Sequence, residues 1–182
     1  MYAPSRKVLL IWELPFETAE FRDEHIGKTV TKPRVISKEY TLSLGAKANL
    51  RRDLESWRGK PVTAEEATGF EVGALAGVNC QLNVAHRPSR DNSRTYANVV
   101  SIVPLGKGVA KLKNQNPIFV WDIPQSGPFV FPDNMPEWIV TKIKGSEEYV
   151  REANPHAQPG SGPGGTGQAF ATDGQPDEDV PF

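Results

Sequence analysis

The chain has 182 residues, of which 38% are hydrophobic and 24% are charged, and its mean hydropathy is −0.45. This length allows one domain with appendages, and the low hydropathy indicates that part of the chain stays outside any core. No run of eighteen apolar residues occurs, which excludes the pattern of a transmembrane helix. The apolar stretch Val8–Trp12 after Arg6 and Lys7 is too short for a signal-peptide core, so we expect a cytoplasmic protein.

Positive and negative charges are segregated along the chain. Residues 28–113 contain 15 basic and 7 acidic side chains, whereas residues 153–182 contain four acids and neither Lys nor Arg. A basic body with an acidic arm indicates a polyanionic partner and an arm that competes for the same surface. An ordinary domain with surface lysines and a solubilising tail would give the same distribution.

The first 44 residues show two apolar alternations. The first predicts a strand over Lys7–Leu14 that ends at Pro15. Residues 16–32 are polar and predict a loop or a loose hairpin. The second alternation predicts a strand over Pro33–Leu44.

Helical signals follow. Apolar residues at helical spacing predict a helix over Ala46–Trp57, and Gly59 predicts its end. The sequence Thr63-Ala-Glu-Glu66 predicts a capping box at the start of a short helix over residues 64–69.

The middle of the chain predicts a β-hairpin with a basic turn. Its strands are Gly77–Arg87 and Thr95–Val103, joined by the turn residues 88–93. Three arginines surround this turn: Arg87, Arg90 and Arg94.

Beyond the hairpin, residues 104–116 predict a loop with glycines and lysines, and Ile118–Ile123 predicts a short apolar strand or edge. A helix is predicted over Pro136–Val150. Six Gly and five Pro among residues 153–182 predict a disordered linker. The fold class is therefore mainly β with helices, or α+β. An oligonucleotide-binding (OB) fold-like barrel over residues 1–152 is its natural form.

Catalytic and metal-binding patterns are weak. The histidines at 25, 86 and 156 have no ligand spacing with one another or with Cys80, which is best interpreted as a small buried hydrophobe. Glu65 and Glu66 are adjacent and diverge on a helix. We therefore expect no metal, no cofactor and no enzymatic activity.

Cations and aromatic rings in the basic middle indicate nucleic-acid binding, because single-strand binding needs phosphate contacts and faces on which bases stack. The candidates for phosphate contact are Lys38, Arg51, Arg58, Arg87, Arg90 and Arg94. The candidates for stacking are Tyr40, Trp57 and Tyr96. For Tyr40 and Trp57, core packing is the competing interpretation, because both fit a core periodicity.

The C-terminus has the composition of a portable ligand. Three acids, Asp177, Glu178 and Asp179, precede Val180, Pro181 and Phe182. The terminal ring can fill a hydrophobic pocket, its carboxylate can meet a cation, and the acids add charge complementarity. This ending closely resembles the acidic tip of bacterial single-stranded DNA-binding proteins. The resemblance implies a tip that recruits replication and repair proteins and competes with DNA.

Three segments of the body resemble a phage family of small replication proteins: Val35–Leu44, Asn49–Gly59 with Leu54-Glu-Ser-Trp-Arg-Gly59, and Tyr96–Val99. This resemblance spans roughly residues 6–150 and implies an OB-like barrel that coats single-stranded DNA in phage or bacterial replication and recombination. Two alternatives remain: an adaptor that docks replication enzymes through its tip without binding DNA, and a nuclease or recombination enzyme. We expect no membrane partner. The sequence leaves open whether the protein forms a homo-oligomer.

Overall fold

The computed structural model describes residues 5–23, 27–124, 128–133 and 135–153. They divide into two compact units, the first reaching Val120 and the second beginning at Trp121. The linker and tip expected over residues 153–182 lie outside the described residues except for Ala153. None of the described helices is long and apolar enough to cross a membrane.

The first unit begins with an antiparallel hairpin of two long strands, β1 (Lys7–Asp23) and β2 (Lys28–Thr41). The prediction that the first strand ends at Pro15 is wrong, because β1 continues through this residue. The pairing register shifts between Leu14 and Thr18. A proline is tolerated at such an irregularity, since it has no N–H to contribute to the ladder.

Two helices follow, and both match local signals in the sequence. Helix α1 covers Asn49–Arg58 and is closed by Gly59 at a φ of 65°, as a C-terminal glycine stop requires. Helix α2 covers Ala64–Gly69, and the predicted capping box is confirmed. A short 3₁₀ turn, Val72–Leu75, was not predicted.

A second antiparallel hairpin confirms the predicted pair of strands in the middle of the chain. It consists of β3 (Cys80–Pro88) and β4 (Thr95–Pro104). Asn83 pairs with Ser101 whereas the next residue of β3 pairs with Val99, so β4 carries one extra residue as a bulge. Within the described residues the four strands form two separate two-stranded sheets and do not close a barrel. The coarser prediction, strands mixed with helices, is confirmed.

The core of the first unit lies between the two hairpins and α1. Trp12 of β1 and Trp57 of α1 pack with ring centroids 6.2 Å apart. The other buried members of this cluster come from β2, α1 and β4: Ile36, Tyr40, Leu50, Val99 and Ile102. One face of each hairpin therefore supplies the core.

The second unit contains α3 (Glu137–Lys144) and α4 (Glu147–Ala153). The prediction of one helix over Pro136–Val150 is wrong, because the helix ends at Gly145 and restarts. The Ser146 hydroxyl accepts a hydrogen bond of 3.2 Å from the Tyr149 N–H, as a side-chain cap does. The strand or edge expected over Ile118–Ile123 has no regular secondary structure.

Candidate nucleic-acid interface

Two of the aromatic candidates lie in the core. Tyr40 is 3% exposed and Trp57 is 7% exposed. The Tyr40 hydroxyl donates a hydrogen bond of 2.9 Å to Asp53 Oδ2, and the Trp57 indole N–H donates to the Asn79 carbonyl. Neither ring offers a face on which a base could stack in this structure.

Lys38 is directed at the same buried carboxylate. Its ammonium lies 2.8 Å from Asp53 Oδ2 and donates a second hydrogen bond of 3.0 Å to the Val99 carbonyl. Asp53 is 4% exposed. Lys38 therefore joins β2, α1 and β4, and its charge is matched inside the protein rather than offered to a phosphate.

Arg51 joins α1 to the segments on either side of it. Its guanidinium donates to the Val62 carbonyl at 2.8 Å, to the Leu44 carbonyl at 3.2 Å and to Glu55 at 2.9 Å. The Val62 N–H and the Arg51 guanidinium, both bonded to Glu55, lower the pKa of that carboxyl. Arg51 thus acts as a clamp within the fold.

Arg58 makes a bidentate ion pair with Glu66 and lies over the Phe70 ring. The hydrogen bonds from Arg58, followed by that from the Thr63 N–H, lower the pKa of Glu66 to about 2. This pair joins the end of α1 to the start of α2. Of the predicted cations outside the β3–β4 hairpin, Lys38, Arg51 and Arg58 are thus all engaged by other protein groups.

The β3–β4 hairpin has one face in the core. Cys80 and Leu82 of β3 and Ala97 of β4 pack against the buried cluster. Burial raises the pKa of the Cys80 thiol to about 11, so this thiol stays protonated near neutral pH. The interpretation of Cys80 as a small buried hydrophobe agrees with this placement.

The opposite face of the hairpin is polar. Side chains two residues apart share a face of a strand, and paired residues of an antiparallel ladder project to the same side. We call the resulting set the polar face: Gln81, Asn83, Ala85 and Arg87 of β3, with Tyr96, Asn98, Ser101 and Val103 of β4. Its members are exposed or half-buried.

Arg87 and Tyr96 are paired at the outer end of the polar face. Arg87 is exposed and Tyr96 is half-buried, so a cationic and an aromatic residue occupy paired positions on this face. Nearer the core, Asn83 Nδ2 donates a hydrogen bond of 2.6 Å to Ser101 Oγ. The face therefore combines a charge, a ring and hydrogen-bonding amides.

The turn at the end of the hairpin is held by its own side chains. Asp91 Oδ1 accepts hydrogen bonds from the hydroxyls of Ser89 and Ser93, at 2.5 and 2.8 Å, and from the Ser93 N–H. These bonds lower the pKa of Asp91 to about 2, with the Ser89 hydroxyl as the largest cause. Asn92 adopts a φ of 54°, a left-handed conformation that asparagine tolerates.

This turn brings the three remaining cation candidates together. Arg87, Arg90 and Arg94 are all exposed. The backbone of Arg94 is tied to Ser89 through two hydrogen bonds, N–H to Oγ at 3.0 Å and carbonyl to N–H at 2.8 Å. Among the described residues, neither Arg87 nor Arg90 forms an ion pair. We call these three exposed arginines, Arg87, Arg90 and Arg94, the arginine tip of the β3–β4 hairpin.

Sequence reasoning missed the polar members of β3, Gln81 and Asn83. The signal was present, because these residues alternate with the apolar Cys80, Leu82 and Val84 at the period of a strand. Asp53 was also missed, since the partners that engage its Oδ2 in the core, Lys38 and Tyr40, come from β2 rather than from its own helix.

The described residues contain no group of three or more His, Cys, Asp or Glu side chains placed to hold a metal ion. The predicted partner-binding tip, Asp177–Phe182, lies outside the described part of the chain. No protein-family model matches the chain, and no curated protein or solved structure matches it either.

Proposed function

We propose that this protein binds single-stranded DNA without sequence preference, in phage or bacterial replication and recombination. The observation that carries the proposal is the polar face of the β3–β4 hairpin, which leads to an ordered tip with three arginines. Phosphates would contact Arg87, Arg90 and Arg94, and a base would stack on Tyr96. Cations beside an aromatic ring are the two ingredients of sequence-tolerant single-strand binding.

Unpaired rather than paired DNA is the better ligand for this face. A base can stack on Tyr96 only when it has left its own duplex. Asn83 and Asn98 can then hydrogen-bond to whichever base edge is turned toward them, since an amide is both a donor and an acceptor. A duplex would use the arginines alone.

The fold that we propose for the first unit is an open form of the OB type. The order β1, β2, α1, α2, β3, β4 supports it, with α1 packed against the core between two hairpins. In OB folds the loop between the last two strands contacts oligonucleotides, and we propose the same role for the arginine tip of the β3–β4 hairpin.

The C-terminal sequence supports a second part of the same function. Asp177, Glu178 and Asp179, followed by a terminal phenylalanine, have the chemistry of a peptide ligand for a basic, hydrophobic pocket. We assign this segment to the recruitment of replication or repair proteins. An adaptor that does not bind DNA would need only the C-terminal segment Asp177–Phe182. The arginine tip of the β3–β4 hairpin would then have no role.

A salt titration with oligonucleotides of several sequences tests the proposal. Affinity for single strands should fall steeply with salt, with a log–log slope of about −0.7 per phosphate contacted. Duplexes of the same sequences should bind more weakly. Absence of single-strand binding at low salt would refute the proposal, and strand cleavage with Mg²⁺ would favour a nuclease instead.

A further inference from the structure

A loop of lysines crosses the base of the β3–β4 hairpin, at the end opposite the arginine tip. We call residues 105–116 the lysine strap. Its three lysines, Lys107, Lys111 and Lys113, are exposed. None of the three forms an ion pair with any residue that the structure describes. The strap has no regular secondary structure, so its position must come from side-chain contacts.

One such contact is a double hydrogen bond between Asn79 and Leu112. Asn79 Nδ2 donates to the Leu112 carbonyl at 3.2 Å, and the Leu112 N–H donates to Asn79 Oδ1 at 2.7 Å. Asn79 directly precedes β3. The residues on either side of Leu112, Lys111 and Lys113, are therefore anchored to the base of the hairpin through the backbone between them.

A second contact comes from the other hairpin. The carboxylate of Glu13 on β1 accepts hydrogen bonds from the Gln115 N–H at 2.9 Å and from the Asn116 N–H at 2.7 Å. At the start of the strap, a turn is closed by the Val109 N–H and the Gly106 carbonyl at 3.1 Å. Gly108 at its third position has a φ of 82°, which favours glycine.

The start of the strap lies close to the inner end of the polar face. A Cβ at Gly106 would lie 3.5 Å from Gln81 Oε1, and Gln81 is the innermost member of that face on β3. The nine residues of β3 extend about 30 Å, at roughly 3.3 Å per residue. The arginine tip lies at one end of the polar face, and the strap is anchored at the other end.

We infer that the lysine strap is the second phosphate-binding segment of the protein, with Asn79 and Glu13 as positioning residues. This inference rests on the proposed binding of single-stranded DNA. The strand would contact the arginine tip at one end of the hairpin and Lys107, Lys111 and Lys113 at the other. A strap fixed before binding loses less conformational freedom when the phosphates arrive than a mobile loop would.

Replacing the three lysines by alanine tests the contact. The slope of log affinity against log salt for an unstructured single strand should become shallower by about 2, at ~0.7 per lost phosphate contact. The matched control replaces Arg22, Lys28 and Lys47, three exposed cations outside the β3–β4 hairpin and the strap, and should leave the slope near that of the unaltered protein. Equal slopes for the two triple variants would overturn the inference while the proposed function stands.

For the positioning residue Glu13, the loss of its charge and the release of the strap predict opposite changes in DNA affinity. Glu13→Ala removes a negative charge, so general electrostatics predicts tighter DNA binding. Release of the strap predicts weaker binding, by severalfold. Asn79→Ala changes no charge and should also weaken binding. Hydrogen exchange should show faster exchange at the Leu112 amide in Asn79→Ala and at the Asn116 amide in Glu13→Ala.

DNA affinity and amide exchange of Glu13→Ala and Asn79→Ala together test whether these residues position the strap. Weaker binding with faster amide exchange supports the positioning role. Tighter binding by Glu13→Ala, or unchanged binding by both variants despite faster exchange, overturns it. If the unaltered protein binds no single strand at low salt, the proposed function and this inference fall together.

Discussion

Tyr40 donates its hydroxyl hydrogen bond to Asp53 across 2.9 Å, inside the core of the first unit. The same carboxylate oxygen accepts from Lys38 at 2.8 Å, so a β2 tyrosine and lysine meet on a single α1 aspartate. Tyr40 and Lys38, which the sequence offered as candidates for contact with DNA, thereby hold α1 against the β1–β2 sheet.

We predict that Asp53→Ala destabilises the protein by about 3 kcal/mol, because it leaves a partly buried ammonium without its carboxylate. Urea unfolding at neutral pH measures the loss. Glu71→Ala, at an exposed acid, is the control and should change stability by less than about 0.5 kcal/mol. A loss below about 1 kcal/mol for Asp53→Ala would mean that this network contributes little.

The two tyrosines on which bases were expected to stack should behave differently. Tyr40→Leu removes the ring and should leave the single-strand affinity of the folded protein unchanged, since Tyr40 is 3% exposed. Tyr96→Ala should weaken binding by about 1–3 kcal/mol, the usual contribution of one stacked base. Tyr96→Phe keeps the ring and serves as the control, with affinity near that of the unaltered protein. Fluorescence anisotropy with a labelled oligonucleotide measures all three, and a loss in Tyr40→Leu equal to that in Tyr96→Ala would contradict the assignment.

Acid should weaken the fold through Glu66. Its pKa is about 2 in the folded protein, below the ordinary value of 4.5. A carboxyl with a depressed pKa contributes stability above its unfolded-state pKa, and this contribution is lost as the pH falls from about 4.5 toward 2. Glu66→Gln should therefore lower the melting temperature at pH 7 and flatten its decline between those pH values. Thermal melts across this range measure the effect, and parallel declines in variant and parent would exclude this role for Glu66.

The helix ends and the hairpin that the sequence predicts correctly depend on local signals. The capping box at Thr63 and Glu66 and the glycine stop at Gly59 depend on residues within a few positions of one another, and both are present. The β3–β4 hairpin follows from alternation and turn residues, which are also local. Pro15 misled the prediction of β1, because the bulge that accommodates it depends on pairing with β2.

The sequence alone does not distinguish cations that bond to the protein itself from cations that are available to a ligand. Lys38 and Arg51 bond to backbone carbonyls of Val99 and Val62, and carbonyls leave no mark in the amino-acid pattern. Only the fold separates these engaged cations from Arg87 and Arg90. The polar alternation of Gln81 and Asn83, by contrast, was visible in the sequence.

Deletion of residues 177–182 should separate the two proposed activities. Single-strand affinity should stay the same or rise slightly, since three acids are removed. Recruitment of replication or repair enzymes should be lost. Phe182→Ala, which keeps the charges, should lose recruitment as well. Binding assays with DNA and pull-downs from bacterial extract measure the two effects, and loss of DNA binding on deletion would contradict the division of labour.

The most direct measurement is a salt titration of single-strand binding by the Arg87→Ala, Arg90→Ala, Arg94→Ala triple variant. Because three phosphate contacts are removed, its log–log slope should become shallower than that of the unaltered protein by about 2. The variant in which Arg22, Lys28 and Lys47 are replaced by alanine removes the same charge from outside the β3–β4 hairpin. Its log–log slope should equal that of the unaltered protein. A triple-arginine variant that binds with the affinity and the slope of the unaltered protein would contradict the assignment of DNA binding to the β3–β4 hairpin.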